Sequence, residues 1–545
     1  KLELMECLVI CGYHEVAYAK SVELQARASC KEDLAEIKKR YMILYSYTGN
    51  HDKVLELGFQ ALKHLGFKID TKLLPLQIIR EIAYGKILFR SSRLESIKNA
   101  PLITDKRLTN ALEILTIMAA SANLTDEKLF ALIVLKIGNL SAKYGNSLYS
   151  PIGYAAYSIV IGPLMGNFDK AVNLMEISLN LAELFDDDQF GTATYFCIGT
   201  FVAHWMFPAG VSLSYLQKAF DCGMLSGDYL YCAYSLIFMI EMKYLTGEAL
   251  DELQKFIRLH EKYVEKIRND LLKRSFAMFK DHIHLLSSAG FSSEDMLLHD
   301  EDIDILKTNE SMFYYLLKIK RLYLNGRIEE AFNIAKKSIK HLDSVMGAIT
   351  QVDFVFYFLL VSLEMLKKGE EGSFHRVGNS CKNYMKKLEH WAQMSPENHK
   401  GKLLLVKALF AGLNNRQKDA ARLYDEAIEH AKATNNLFLE AFGNYLAAGY
   451  FSSNRKISRV YAQDAFSLFL RWGAPNVAER IRELFNIDND CAEKEISCDL
   501  DSKSAAEKRD VDNESYSEKK IRDHQKELEK LDLENAHKIL FGYDM

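Results

Sequence analysis

The sequence predicts an all-α fold, a right-handed α-α superhelix in which antiparallel helix pairs stack into a solenoid. Three observations carry this. Turn formers are scarce, with 7 Pro and 28 Gly in 545 residues, too few for an all-β or collagenous chain. Apolar residues recur with a 3.6-residue period, which puts one greasy stripe on each helix. A turn-then-helix unit also repeats along the chain in one fixed register.

The unit reads Gly49-Asn-His-Asp-Lys-Val54, Gly166-Asn-Phe-Asp-Lys-Ala171 and Gly326-Arg-Ile-Glu-Glu-Ala331. Asn415 to Ala420 and Ser453 to Ser458 repeat it without glycine, and Gly12 to Ala17 is a rougher copy. Counting from the turn residue, the inward positions are offsets 5, 8, 9, 12, 13 and 16 in five copies. After Gly49 these are Val54, Leu57, Gly58, Ala61, Leu62 and Leu65; after Asn415 they are Ala420, Leu423, Tyr424, Ala427, Ile428 and Ala431. The small residues let neighbouring helix axes approach closely. Gly or Asn at the turn ends one helix in a left-handed conformation. Asp52, Asp169 and Glu329 then open the next helix, where its dipole favours a negative charge. Turns lie 37 residues apart from Gly12 to Gly49 and 38 from Asn415 to Ser453, slightly longer than a tetratricopeptide repeat.

Five regions follow in order. Residues 1–125 hold N-terminal helical repeats, with longer helices around Pro75 and Pro101. Residues 126–310 are the most apolar and aromatic repeats at first, then turn more charged. Residues 311–486 resume the tetratricopeptide-like register. Residues 487–532 are predicted to be a disordered linker: Asp488 to Asp532 carries 15 acidic and 9 basic residues, net −6, and little that could repay the entropy of ordering. Residues 533–545 would be a tail or the start of a further element.

Composition excludes several functions. Lys+Arg 69 against Asp+Glu 73 gives −4, so the bulk charge does not favour nucleic acid. Gln189 to Gln217 and Ser147 to Phe168 are uncharged, but Gly and Pro interrupt both, so buried helices are expected rather than membrane spans. No basic stretch followed by an apolar run is seen, so no secretory signal is expected, and the cysteines read as reduced core thiols, which suits the cytoplasm. The phosphate-loop pattern is missing around Gly85-Lys86 and Gly401-Lys402, as are kinase motifs. Asp300, Asp302 and Asp304 start like a calcium loop, but Ile305 and Ser311 occupy its Gly and Glu positions. Cys7 and Cys11 have no matching pair for zinc, and His282 and His284 point to different helix faces as surface or partly packed side chains. No catalytic residue, cofactor or metal is expected.

Two polar–aromatic groups stand out instead. His204-Trp205 lies in an uncharged stretch, and Asn146, Ser150 and Tyr154 lie near the kink that Pro151 implies. A core Trp with a hydrogen-bonded His is the structural expectation; a ligand or partner groove is the functional one. Trp391 joins the groove candidates.

Four segments carry a family resemblance: Lys143 to Ala155, His204-Trp205 with Ser226 to Tyr234, Glu389-His-Trp-Ala392 with Ser395 to Asn398, and Leu470-Arg-Trp-Gly-Ala474. Together they resemble the tetratricopeptide-like superhelical region of large bacterial multidomain signalling proteins. In that family a serine/threonine-kinase-like domain and a STAND-type AAA ATPase precede the region. A GAF domain and a histidine kinase or other output follow. Gly401 departs from the histidine usual there. The resemblance implies a non-enzymatic scaffold that couples an ATPase or kinase-type module to an output, with protein or intramolecular partners. The alternatives are a repeat domain that senses a small effector, as in STAND-type regulators, or a stand-alone adaptor. Neither nucleic acid nor a membrane is an expected partner.

Overall fold

A computed structural model describes residues 30–47, 49–267, 269–288, 308–367 and 374–487, with a few positions before residue 30. Leu24–Phe485 forms one compact unit; a second, Lys1–Glu23 with Asn486–Met545, falls almost wholly outside the described residues. The expectations for Cys7, Cys11, Gly12 to Ala17, Asp300 to Asp304, the charged linker and the tail lie outside them too.

The fold is all-α and solenoid-like. Among the described residues there is no strand, only an isolated bridge between Leu102 and Asn146. The first helices are α1 (Lys31–Tyr47), α2 (His51–His64), α3 (Leu74–Leu88), α4 (Leu94–Lys98), α5 (Lys106–Thr125) and α6 (Glu127–Tyr144). The middle holds α7 (Ser150–Ile159), α8 (Phe168–Phe185), α9 (Asp188–Phe201), α10 (Ala209–Ser226), α11 (Tyr229–Leu245), α12 (Leu250–Lys266) and α13 (Asp270–Ser287). Then come α14 (Thr308–Leu324), α15 (Ile328–Ser338), α16 (Ile349–Lys367), α17 (Phe374–Met394) and α18 (Pro396–Leu413). The unit closes with α19 (Gln417–Ala433), α20 (Leu437–Tyr450), α21 (Arg455–Trp472) and α22 (Pro475–Phe485). Most consecutive helices pack against each other; near the start, α2 packs on α5 and α3 on α6 instead.

The turns work as their residues predict. Gly49, Gly166, Gly326 and Asn415 all take left-handed φ, between 58° and 74°. At Gly49 the next amide, Asn50 N–H, reaches back to the Tyr45 carbonyl at 2.9 Å, which satisfies an orphan acceptor of α1. The Asn50 side chain then accepts from Lys53 N–H and starts α2. Stop and start thus occupy adjacent residues. The same backbone bond recurs at Gly247, Asn435 and Gly473, units the sequence reading left out. Ser453 differs: its φ is not left-handed, and Asn454 caps α21 instead. The inward register holds, because no offset position is exposed in any of the five copies.

Both uncharged stretches break. Gln189 to Gln217 divides at Phe201, passes a 3-10 turn at Ala203–Trp205 and resumes at Ala209. In Ser147 to Phe168, α7 widens into a π-turn at Val160–Leu164 around Pro163, which lacks the amide an α-helix needs. Among the described residues, one helix is long and apolar enough to cross a bilayer, α16, and 89% of its apolar window is buried inside the fold.

An open solenoid contacts only its neighbours, whereas this one also ties distant turns together. Asn436 Nδ2 donates to the Leu245 carbonyl at 2.9 Å, and Trp472 Nε1 donates to the Glu248 carbonyl at 3.0 Å. Arg480 donates to the Leu324 carbonyl. In each case a later side chain satisfies a carbonyl at the end of an earlier helix or in the turn that follows it.

Candidate functional site: an inner cavity beside two buried clasps

Alternate helices of the array share one wall. Side chains of α5, α7, α9, α11 and α13 line a cavity of about 140 Å³, which α14 and the turn at Ser344–Ala348 help to close. Lining by one helix of each pair is what the inner layer of a solenoid gives. The wall is mostly aromatic. Phe196 meets Phe201 edge-on at 6.0 Å and 89°, and Tyr231 at 5.4 Å. It also packs on Phe238, whose ring meets Phe313. Edge-to-face packing suits the ring quadrupoles and leaves flat ring surface turned elsewhere.

Among the described residues, no Asp, Glu, Lys or Arg lines the cavity. Its polar lining includes His51, whose Nδ1 lies 3.2 Å from Ser121 Oγ, and the side chains of Asn123, Tyr231, Tyr234, Ser275 and Ser344. Burial pushes the Cys197 thiol up, so that lining group is uncharged. The chamber therefore suits a neutral, largely apolar body of roughly the size of one aromatic ring, with room for a hydrogen-bonding group.

The five groove candidates form two other groups, and none of them lines this cavity. Asn146 is buried; its Nδ2 donates to the Ile97 carbonyl at 2.7 Å, and its Oδ1 accepts from the Tyr154 hydroxyl at 3.1 Å. The Asn146 backbone also bonds Pro101 and Ile103, which straps the 101–103 segment onto the end of α6. The second group is His204, Trp205 and Trp391, all buried. His204 Nε2 and Trp205 Nε1 both reach the Gly347 carbonyl, at 3.0 and 2.8 Å. A carbonyl can only accept, so Nε2 carries the His204 proton. Burial lowers the His204 pKa to about 4, and the imidazole is neutral at pH 7. Trp391 packs on Trp205 at 5.5 Å. The core Trp with a hydrogen-bonded His is what the fold holds.

His282 departs from expectation. It is fully buried, with Nε2 3.0 Å from the Tyr244 hydroxyl, whereas His284 is exposed. The reason is α13 itself, whose inward stripe carries Met278, Phe279, His282 and Leu286.

A third interior feature carries charge. Asp353, in the second turn of the buried α16, is gripped by Lys320 of α14 and by Lys402 of α18, the latter at 2.9 Å. Burial raises the Asp353 carboxyl, but the two ammonium groups outweigh it and hold the pKa below the usual carboxylate range. Glu241 of α11 accepts from Thr350 Oγ1 at 2.5 Å, while its other oxygen has no hydrogen-bond partner. Burial raises its pKa to about 7. Among the described residues, no three His, Cys, Asp or Glu side chains are placed to hold a metal ion.

Sequence reasoning missed the cavity wall. A signal existed: Tyr231, Tyr234 and Phe238 sit at helical spacing on one face of α11. That stripe reads equally as core, and only the packing of Phe196 and Phe313 around it makes it a chamber.

Neither a protein-family model nor a curated protein matches this sequence.

Proposed function

We propose that this chain is a non-enzymatic regulatory repeat region that senses a small, neutral, ring-bearing or aliphatic ligand in its inner cavity. The uncharged, aromatic-walled chamber carries the reading. Its lining comes from helices more than 200 residues apart in sequence, from α5 to the turn after α15. A bound ligand would therefore bias the relative packing of many repeats at once. Such a region suits a cytoplasmic bacterial signalling protein, between an ATPase or kinase-type module and an output module. The resemblance of four segments to that family supports this placement. Relative to a pure protein scaffold, the cavity shifts the emphasis to a diffusible effector.

A thermal-shift screen of small neutral aromatics and short-chain alcohols tests the reading. A true ligand at about 100 times its Kd adds about 2.7 kcal/mol of stability. Ala156→Phe, which fills the chamber from α7, should abolish that shift while the variant still melts cooperatively. The reading fails if no compound in the panel raises the melting temperature, or if the filled variant responds as wild type does.

A further inference from the structure

The outer face of α3 has an unusual composition. Leu73, Leu76, Ile79 and Ile87 are 48%, 65%, 63% and 52% exposed, and the last three share one helix face with Ala83. Soluble surfaces scatter such residues singly; a contiguous stripe marks a contact site. Charge sorts around it. Between Lys72 and Arg93 the one acid is Glu81. It points inward, where Lys136 Nζ at 2.9 Å and Asn139 Nδ2 at 2.9 Å neutralise and bond it; Arg80 also touches it at 3.3 Å. Lys72, Lys86 and Arg90 stay exposed around the stripe. On another face of α3, reached through Lys86, lies a cleft of about 60 Å³ lined by Lys86 and Lys170 together with Phe89, Leu94 and Met165.

We propose that this face of α3 docks on an anionic lipid surface, with the aliphatic stripe entering the headgroup boundary and Lys72, Lys86 and Arg90 meeting lipid phosphates and carboxylates. Aliphatic side chains ringed by bases are the composition of an interfacial helix. The side chains protrude, so they seat in a deformable interface without needing a matching pocket. Lys86 also borders the basic, apolar cleft, which fits the end of one chain below an anionic headgroup. The contact is peripheral and does not rest on the inner cavity. It departs from the sequence-based expectation of no membrane partner.

Vesicle flotation of the full chain decides it. The wild type should float with phosphatidylcholine vesicles containing about one third phosphatidylserine, stay down with pure phosphatidylcholine, and release as salt rises past a few hundred millimolar. Lys72→Gln/Lys86→Gln/Arg90→Gln should weaken partitioning roughly 100-fold, at about fivefold for each base. Leu76→Ser/Ile79→Ser should weaken it at least ~10-fold. Both variants alter exposed side chains, and unchanged thermal melts would confirm their folding. The proposal is overturned if the wild type stays in the bottom fraction with anionic vesicles, which leaves the stripe as a protein-docking face. It is equally overturned if neutral vesicles bind as well, or if the basic variant floats undiminished.

Discussion

Asn398 grips the backbone around His204 with every polar atom of its side chain. Its Nδ2 donates to the His204 and Phe207 carbonyls, each at 2.8 Å, and its Oδ1 accepts from Ala209 N–H at 3.0 Å. The residue stands near the start of α18, yet it caps the start of α10, nearly two hundred positions earlier. Asn398→Ala leaves three backbone groups without these partners. Stability should fall by about 2–4 kcal/mol, read from the midpoint of urea unfolding.

Gly347 is fixed by what surrounds it. Its φ is +81°, and an added Cβ would lie 3.0 Å from Ile159 Cγ2. Gly347→Ala should cost at least about 1–2 kcal/mol from the left-handed backbone alone, seen as a lower melting temperature. Gly210, in the first turn of α10 with open space around it, is the control. There, Ala is expected to be neutral or stabilising by up to ~1 kcal/mol.

Removing one partner from the buried triad should hurt more than removing all three. Asp353→Ala strands Lys320 and Lys402 in the interior, a loss of about 3–5 kcal/mol. Lys320→Met/Asp353→Leu/Lys402→Met takes away every charge and should lose less than the single change. Chemical denaturation of the two variants side by side checks the order.

Glu241 gives the fold a pH slope of known sign. Its pKa is raised from 4.5 to about 7 by burial, so the folded chain keeps a proton that the unfolded chain gives up. Its contribution is full below pH 4.5 and is lost as pH rises through 7, at up to about 1.4 kcal/mol per unit. Glu241→Gln should flatten stability over that window and exceed wild type most clearly at pH 8. Melts at pH 5, 6, 7 and 8 would show it; parallel curves for the two proteins would contradict the assignment.

The repeat register was legible because short-range rules govern it. Gly49 and Asn415 need only their own φ, and Val54 or Ala427 only the face of one helix. The ties of Trp472 to Glu248 and of Asn436 to Leu245 were illegible for the opposite reason: each depends on the accumulated geometry of many helix pairs. The groove candidates illustrate the middle case. His204 and Trp205 stand out in the sequence as a polar–aromatic pair, but their common acceptor, Gly347, lies in a turn that carries no motif. The chamber around Phe196 was hidden because aromatic residues on an inner helix face look the same whether they meet each other or leave room.

The cross-ties also determine how the molecule can be cut. In a simple array, removing the last repeat exposes one interface and leaves the rest intact. Here the final helices supply Trp472 and Arg480 to carbonyls far upstream, so trimming α21 and α22 uncaps turns in the middle of the chain. Shortened versions should lose structure abruptly rather than one repeat at a time, and the 24–485 segment should behave as a single indivisible cooperative block.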